Sequence, residues 1–276
     1  MHSFYVETEP VSPGGQVWLP AAESAHAARA LRLRSGDEVR LLDGQALYRA
    51  VLTHVDEGAC RARVLETLPS PEAGARITLW QGVPKADKLE WIAQKATELG
   101  VWDIWPVEME RSIAGKGTIK KSERLRRIAL EAAKQCGRAH VPHIWEACGF
   151  GEALARLGTS PGDFDLVVVA WEEAEGPRLS EAVGRAFPRV TVPAGAENAA
   201  PGGESYAGGL PPSGGKPGGV PRILLVIGPE GGLGRAECEG LRNLGGIPVT
   251  LGRRILRSET AGPCALAVIL AALGEM

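Results

Sequence analysis

Runs of consecutive apolar residues are the feature of this sequence that most restricts its fold. Residues 166–170 and 223–227 are apolar throughout, and a third run, interrupted by Thr250, lies at 247–251. Strands of this composition are buried on both faces, which is typical of a parallel sheet covered by helices. Segments with apolar residues at helical spacing, such as 86–99 and 122–136, alternate with these strands from residue 77 onward. The alternation predicts an α/β fold with a mainly parallel sheet and helices on both faces.

The first 70 or so residues follow a different pattern. Short alternating strands are predicted near 39–44, 48–52 and 60–65, with turn signals at Asp43-Gly44 and Glu57-Gly58. Short strands joined by regular turns favour a small β-barrel, with one helical segment at 22–33. Pro69-Ser70-Pro71 then interrupts the chain. We therefore predict a β-rich domain over 1–72 and an α/β domain over 73–276.

One segment of the α/β domain does not fit its pattern. Residues 191–222 contain nine Gly and six Pro. Such a composition buries too little apolar surface to offset the entropy lost on ordering. The segment is predicted to be a disordered insertion between two core strands, and we assign it no function.

Composition excludes several classes of protein. The net charge of -2 excludes a uniformly basic nucleic-acid binder, although not a local basic patch. No apolar run approaches the roughly 18 residues of a membrane span, and the N-terminus lacks the pattern of a signal peptide. The five cysteines and five histidines show no spacing typical of a disulfide framework or a metal site. We expect a cytoplasmic protein without a metal.

A glycine-rich turn at 228–234 lies between the strand 223–227 and a following helical segment. Glycine allows the backbone to approach a ligand closely, and a helix N-terminus offers free N–H donors. The turn is not a dinucleotide fingerprint, because no acidic residue follows about 20 positions later, and it lacks the Gly-Lys-Ser/Thr of a P-loop. A tight turn that binds nothing remains the alternative.

Three arginines, Arg253, Arg254 and Arg257, crowd the start of the last predicted helix. Ser258 is a suitable N-cap and Glu259 suits the first turn, so a well-capped helix explains these two residues. It does not explain the arginines, because cations are disfavoured at the positive end of a helix dipole. The cluster therefore favours an anionic ligand.

Two further basic segments stand out. Residues 109–138 contain nine Lys or Arg and three Glu, and a second group is Arg29, Arg32 and Arg34. Solvated helix faces are one explanation. The other is an electrostatic footprint for the phosphates of a nucleic acid.

Taken together, these segments resemble the SPOUT-class RNA methyltransferases of the RsmE type. The resemblance spans nearly the whole chain and rests on ordered motifs at residues 26–32, 42–44, 85–90, 95–101, 110–112, 131–138, 227–232 and 251–261. The Gly/Pro-rich insertion and Gly262-Pro263-Cys264 depart from the family pattern. Because the insertion falls between motifs, it does not weaken the resemblance.

The resemblance implies a PUA-like RNA-binding barrel, a SPOUT domain closed by a trefoil knot, and a homodimer. It also implies S-adenosylmethionine (SAM) as the methyl donor and N3 of a uridine in the 16S ribosomal RNA of the small subunit as the target. The residues that match the cofactor-binding loops are Ala170, Trp171, Glu172, Ile227, Gly228, Pro229, Glu230, Gly231, Gly232, Leu251, Gly252, Ile255, Leu256 and Thr260.

Methylation at N3 requires removal of a proton, so a general base or a cation that stabilises the uracil anion would help. Glu259 is the candidate base and Arg257 the candidate anion stabiliser. The residues expected to contact RNA phosphates are Arg29, Arg32, Arg34, Arg111 and Arg138. The alternatives are an RNA-binding module without catalysis and a methyltransferase that acts on transfer RNA. An NAD-dependent enzyme is disfavoured by the missing acidic residue.

Overall fold

The computed structural model of the chain describes residues 1–6, 11–85, 87–112, 122–160, 162–188 and 219–276. Within them the chain forms two compact units. The first unit comprises Met1–Glu72 and, from much later in the sequence, Leu130–Val141. The remaining described residues belong to the second unit.

The first unit is built on a five-stranded sheet with the order β1-β3-β4-β5-β2. All its strand pairs are antiparallel except β1 with β3. Its elements are β1 (Ser3–Tyr5), β2 (Gln16–Trp18), α1 (Ala21–Ala25), β3 (Glu38–Leu42), β4 (Leu47–His54) and β5 (Arg61–Leu68). Alternate residues of the strands, among them Val39, Ala50 and Val64, form one buried apolar core. The predicted β-rich unit is confirmed.

The helix predicted at 22–33 is shorter than expected. Helix α1 continues only as a π-helical turn, His26–Ala30, and Arg32 has a φ of 54° in the left-handed region. Leu31 and Leu33 both pack against the core. Residues two apart do not share a face of a helix, so the chain leaves the helical conformation to bury both.

The second unit contains a seven-stranded sheet in which every strand pair is parallel. The order is β12-β10-β11-β6-β7-β8, and β9 also pairs with β7. Its strands are β6 (Arg76–Gly82), β7 (Asp103–Glu108), β8 (His143–Ile144), β9 (Cys148–Gly149), β10 (Leu166–Ala170), β11 (Arg222–Ile227) and β12 (Ile247–Val249). The helices are α2 (Lys88–Glu98), α3 (Ser122–Cys136), α4 (Phe150–Thr159), α5 (Leu179–Ala186), α6 (Arg235–Asn243) and α7 (Ser258–Leu273), with residues 130–136 of α3 belonging to the first unit.

Helices cover both faces of this sheet. Trp80 and Val226 point to the face where α4 and α6 pack. The intervening residues of the strands point to the other face, where α7 packs against α2 and α5. The close approach of α7 depends on Gly262, where a Cβ atom would lie 3.2 Å from Gln81 Oε1. The predicted α/β fold class is confirmed, whereas the trefoil knot stays a prediction.

The predicted insertion at 191–222 lies outside the described residues as far as residue 218. Its predicted end is wrong, because Arg222 is the first residue of β11. The backbone N–H of Arg222 donates to Asp165, which joins this strand to the start of β10. Among the described helices, none combines the length and apolar character that a membrane crossing needs.

Candidate active site

The carboxyl ends of the parallel strands meet at one edge of the sheet. Ala170 lies in register with Ile227 on one side and Val249 on the other, and Ile227 lies beside Gln81. The loops that follow these strands therefore begin side by side. This edge is where ligands bind in open parallel sheets. It carries every residue predicted for cofactor binding.

The glycines of the turn after β11 are required by the packing of the backbone on itself. A Cβ atom at Gly82 would lie 2.7 Å from the carbonyl carbon of Gly228, and one at Gly228 would lie 2.8 Å from that of Gly232. Gly232 has a φ of 73°, and its α-carbon lies against the carboxylate of Glu172. Sequence analysis attributed these glycines to close approach of a ligand. The structure gives them a second reason, which is that two loops touch through their main chains.

Ser258 connects this turn to the start of α7. Its hydroxyl donates to the carbonyl oxygen of Gly228 at 2.8 Å and accepts from Gln81 Nε2 at 2.9 Å. The predicted N-cap role of Ser258 is wrong, because Arg257 occupies the N-cap position and no side-chain cap bond forms. Ser258 and Gln81 are both buried. The glycine turn and the arginine-bearing bend thus converge through a buried hydrogen bond.

Lys88, in the first turn of α2, bridges two acidic residues of the site. Its Nζ lies 3.0 Å from Glu230 Oε1 and 3.2 Å from Glu259 Oε2. Hydrogen bonds that the Lys88 ammonium donates to both carboxylates raise the pKa of Lys88. Sequence analysis missed Lys88 as a site residue. Its position at the positive end of a helix dipole, where a cation is disfavoured, was the signal that could have found it.

The candidate base Glu259 is held as a carboxylate. Burial acts to raise its pKa, but hydrogen bonds from its own backbone N–H and from Lys88, together with the charge of Arg257, outweigh that effect and lower it. The same balance, with Lys88 and the backbone N–H of Lys85, lowers the pKa of Glu230. Both groups are therefore ionised at neutral pH. A lowered pKa also makes Glu259 a weaker proton acceptor.

The bend between β12 and α7 exposes groups that can bind a ligand. Arg253, Arg254 and Arg257 are exposed, and none forms an ion pair within the part of the chain that the structure describes. The backbone N–H groups of residues 253–256 likewise donate to no described acceptor. Ile255 is 88% exposed. The bend therefore offers cations, hydrogen-bond donors and apolar surface together.

The residues predicted to contact RNA differ in their surroundings. Arg32 and Arg34 are exposed, and Arg29 is exposed beside Glu57. Arg111 donates to the carbonyl oxygen of Gly231 at 2.9 Å, so it also supports the glycine turn.

The predicted contact between Arg138 and an RNA phosphate does not agree with the structure. Arg138 is only 4% exposed, and its guanidinium donates to Glu72 at 2.7 and 2.9 Å. A buried cation that is already neutralised cannot reach a phosphate, so Arg138 is not expected to bind RNA. Lys116, Lys120 and Lys121 of the same basic segment lie outside the described residues.

The fold defines an α/β domain with a parallel sheet, which shares its chain with a small, mainly antiparallel five-stranded sheet. The sequence matches the model of the RNA methyltransferase domain over residues 71–201 and 215–270, and that of the RNA methyltransferase PUA domain over residues 19–65. The chain therefore belongs to the RNA methyltransferase family.

Named relatives are similar over most of their length. The chain is 33% identical to Ribosomal RNA small subunit methyltransferase E of Bacillus subtilis, covering 90% of this chain and 86% of that protein. It is 31% identical to the Synechocystis protein of the same name, covering 93% and 73%. A crystal structure of Ribosomal RNA small subunit methyltransferase E from Neisseria gonorrhoeae bound to S-adenosyl methionine superposes with a TM-score of 0.75 at 27% identity, covering 98% of this chain and 97% of that one.

Proposed function

We propose that this protein is a SAM-dependent methyltransferase that modifies N3 of a uridine in the 16S ribosomal RNA of the small subunit. Membership of the RNA methyltransferase family and the names of the relatives support the class of reaction and the substrate. The observation that carries the proposal is the bond between Ser258 and Gly228, which joins the glycine turn to the arginine-bearing bend. Because the substrate is part of the ribosome, we assign the activity to the cytoplasm.

The residues at this edge fit the proposed cofactor. An adenine ring needs apolar surface and backbone hydrogen bonds, and the bend supplies both through Ile255, Leu256 and the free N–H groups of residues 253–256. The indole Nε1 of Trp171, in the neighbouring loop, is buried with no hydrogen-bond partner among the described residues. We propose that these groups, with the turn at 228–232, hold SAM. When bound, SAM supplies an electrophilic methyl group.

We assign different roles to two cations at this edge. The guanidinium of Arg257 has no described ion-pair partner, so it is free to bind an anion. Lys88 lies across Glu230 and Glu259 and keeps the negative charge of these carboxylates balanced. We propose that Arg257 stabilises the uracil anion. Glu259 remains the proposed base, and its ion pair with Lys88 lowers the driving force for accepting the N3 proton.

Arg257→Ala and Glu259→Gln are expected to slow single-turnover methylation by about 100-fold or more each, as loss of anion stabilisation or of a general base does. The rate is measured with enzyme and SAM in excess over ribosomal RNA. Arg235→Gln is the matched control, since Arg235 is an exposed residue near the turn that pairs with Glu173. A folded Glu259→Gln variant with the parental rate would remove Glu259 from the mechanism.

The function itself is tested by mass spectrometry of ribosomal RNA nucleosides after incubation with labelled SAM. We expect label in 3-methyluridine of 16S ribosomal RNA, offered as free RNA and as small subunits. Label in transfer RNA would instead identify a different substrate. A protein that binds RNA but neither SAM nor its demethylated product in calorimetry would be an RNA-binding module without catalysis.

We also propose that the protein acts as a homodimer, which the family resemblance implies. Sedimentation equilibrium of the purified protein measures its mass directly. A monomer at the concentrations that support methylation would contradict the proposal.

A further inference from the structure

An aromatic side chain stands exposed on the outer face of the first unit. Trp18, on the edge strand β2, is 53% exposed, whereas its neighbour Val17 is buried in the core. A single exposed apolar residue needs no explanation by itself, so the groups around the indole decide whether the position suits a ligand.

Polar groups that suit a nucleotide surround this indole. Arg61 is the register partner of Trp18 on β5, and its guanidinium carbon lies 5.2 Å from the centroid of the indole ring. His54 on β4 is the register partner of Arg61 and makes an edge-on contact with the indole at 6.4 Å. Three adjacent strands thus present a row made of an aromatic ring, a guanidinium and an imidazole.

Uncompensated positive charge extends the row. Arg63, two residues along β5 from Arg61, points to the same outer face and is exposed. Neither arginine forms an ion pair with a residue that the structure describes. None of the described carboxylates of this unit pairs with Arg61 or Arg63. Six pair with other cations, namely Glu23, Glu38, Glu57, Glu66, Glu72 and Glu131, and Asp37, Asp43 and Asp56 accept hydrogen bonds from neutral groups. The surface therefore attracts an anion.

We propose that this surface, consisting of Trp18, His54, Arg61 and Arg63, binds an unpaired nucleotide of the RNA substrate. The base stacks on the exposed part of the Trp18 indole, and the phosphates lie against Arg61 and Arg63. This assignment rests on the proposed function, because it takes RNA as the substrate. It adds a contact region that the basic clusters Arg29, Arg32 and Arg34 did not indicate.

The chemistry favours a single-stranded region of RNA. Bases in a duplex are stacked on each other and present no free face, whereas bases in loops and bulges can stack on aromatic rings and guanidinium groups. Each base stacked on an aromatic side chain contributes about 1–3 kcal/mol to binding as judged by alanine substitution. A stacking contact combined with two cations is a recurrent way of binding a single strand.

The test compares RNA affinity between variants of the full-length protein. Trp18→Ala is expected to raise the Kd for 16S ribosomal RNA by about 5- to 160-fold, and Trp18→Phe to keep most of the parental affinity. Arg63→Gln is expected to lower the slope of log Kd against log salt by about 0.7, the value for one phosphate contact with a single strand. SAM affinity and the methylation rate at saturating RNA should stay at the parental values in all of them, so the loss appears in KM.

Arg49→Gln is the matched control. Arg49 also points outward from this sheet, but it already pairs with Glu38 and Glu66, so its loss removes the same charge without removing a free cation. Parental RNA affinity of Trp18→Ala in a folded protein would overturn the inference. So would a change of oligomeric state in Trp18→Ala with unchanged RNA affinity, since the occupant would then be a second protein chain.

The experiments distinguish a failure of the proposed function from a failure of the RNA-binding surface proposed around Trp18. A wild-type protein that binds RNA but transfers no methyl group would contradict the proposed reaction, while the comparison of affinities would still decide the role of Trp18. Conversely, full methylation activity with unaltered KM in Trp18→Ala would leave the reaction standing and remove this surface.

Discussion

Gly82→Ala is expected to abolish measurable binding of SAM and to lower the free energy of unfolding by about 3 kcal/mol, the upper part of the usual range for overpacking. The added Cβ would lie 2.7 Å from the carbonyl carbon of Gly228 and 2.5 Å from Pro229 Cδ. Main-chain atoms of a buried turn cannot move aside as a flexible side chain can. The turn at 228–232 would therefore shift away from the bend that is proposed to hold the cofactor.

Calorimetry with SAM and denaturant unfolding measure the two effects. Gly184→Ala is the control, because Gly184 lies in α5 with open space around it, and alanine there should stabilise the helix by up to about 1 kcal/mol. Ser258→Ala is a milder change, which removes the described hydrogen bond to the Gly228 carbonyl and one of the two hydrogen bonds that Gln81 Nε2 donates. A folded Gly82→Ala protein with parental SAM affinity would refute the role given to this contact.

Asp103→Asn is expected to make the protein more stable above pH 7 and to leave it nearly unchanged at pH 4. Burial raises the pKa of Asp103 to about 7, although Arg76 and a hydrogen bond from Thr78 act to lower it. The folded state therefore holds a proton that the unfolded state releases near pH 4. Wild-type stability should fall as the pH rises from about 4 to 7, by on the order of 4 kcal/mol from this group, and then level off.

Urea unfolding of both proteins between pH 4 and pH 8 isolates this contribution. The difference in unfolding free energy should change by up to about 1.4 kcal/mol per pH unit within that window. Glu173→Gln, which removes an exposed carboxylate of the same unit, serves as the control. A difference that stays constant across the window would show that Asp103 is ionised in the folded protein.

Local patterns were sufficient for the main elements of the fold. The apolar run at 166–170 coincides with β10, and the helix expected from Ser122 to Cys136 coincides with α3. The strand is apolar throughout, and the helix has apolar residues at helical spacing over its full length. The two-residue strands β8 and β9 carry no such pattern, because their pairing with β7 is decided by tertiary packing.

The site was only partly predictable, because its key interactions connect residues far apart in sequence. Ser258 has the residue type of an N-cap, yet it is the first residue of α7 and bonds to Gly228, and only the folded chain brings the two together. Arg138 lies in a basic segment, but its partner Glu72 lies 66 residues earlier. Charge patterns along the chain locate a basic region without showing which of its charges are already neutralised.

The discontinuous first unit has a consequence for how the protein is made. Leu130–Val141 supplies Ala139 to a small cluster with Leu42 and Leu47, and its buried Lys134 and Arg138 pair with the partly buried carboxylates Glu23 and Glu72. Domains tend to fold in order as the chain leaves the ribosome, N-terminal part first. Here the first unit cannot complete its fold until residue 141 has left the ribosome, and by then β6 and β7 have already been synthesised. The first unit is therefore completed only after part of the second has been synthesised, and a fragment that ends at residue 72 would lack part of its own interior.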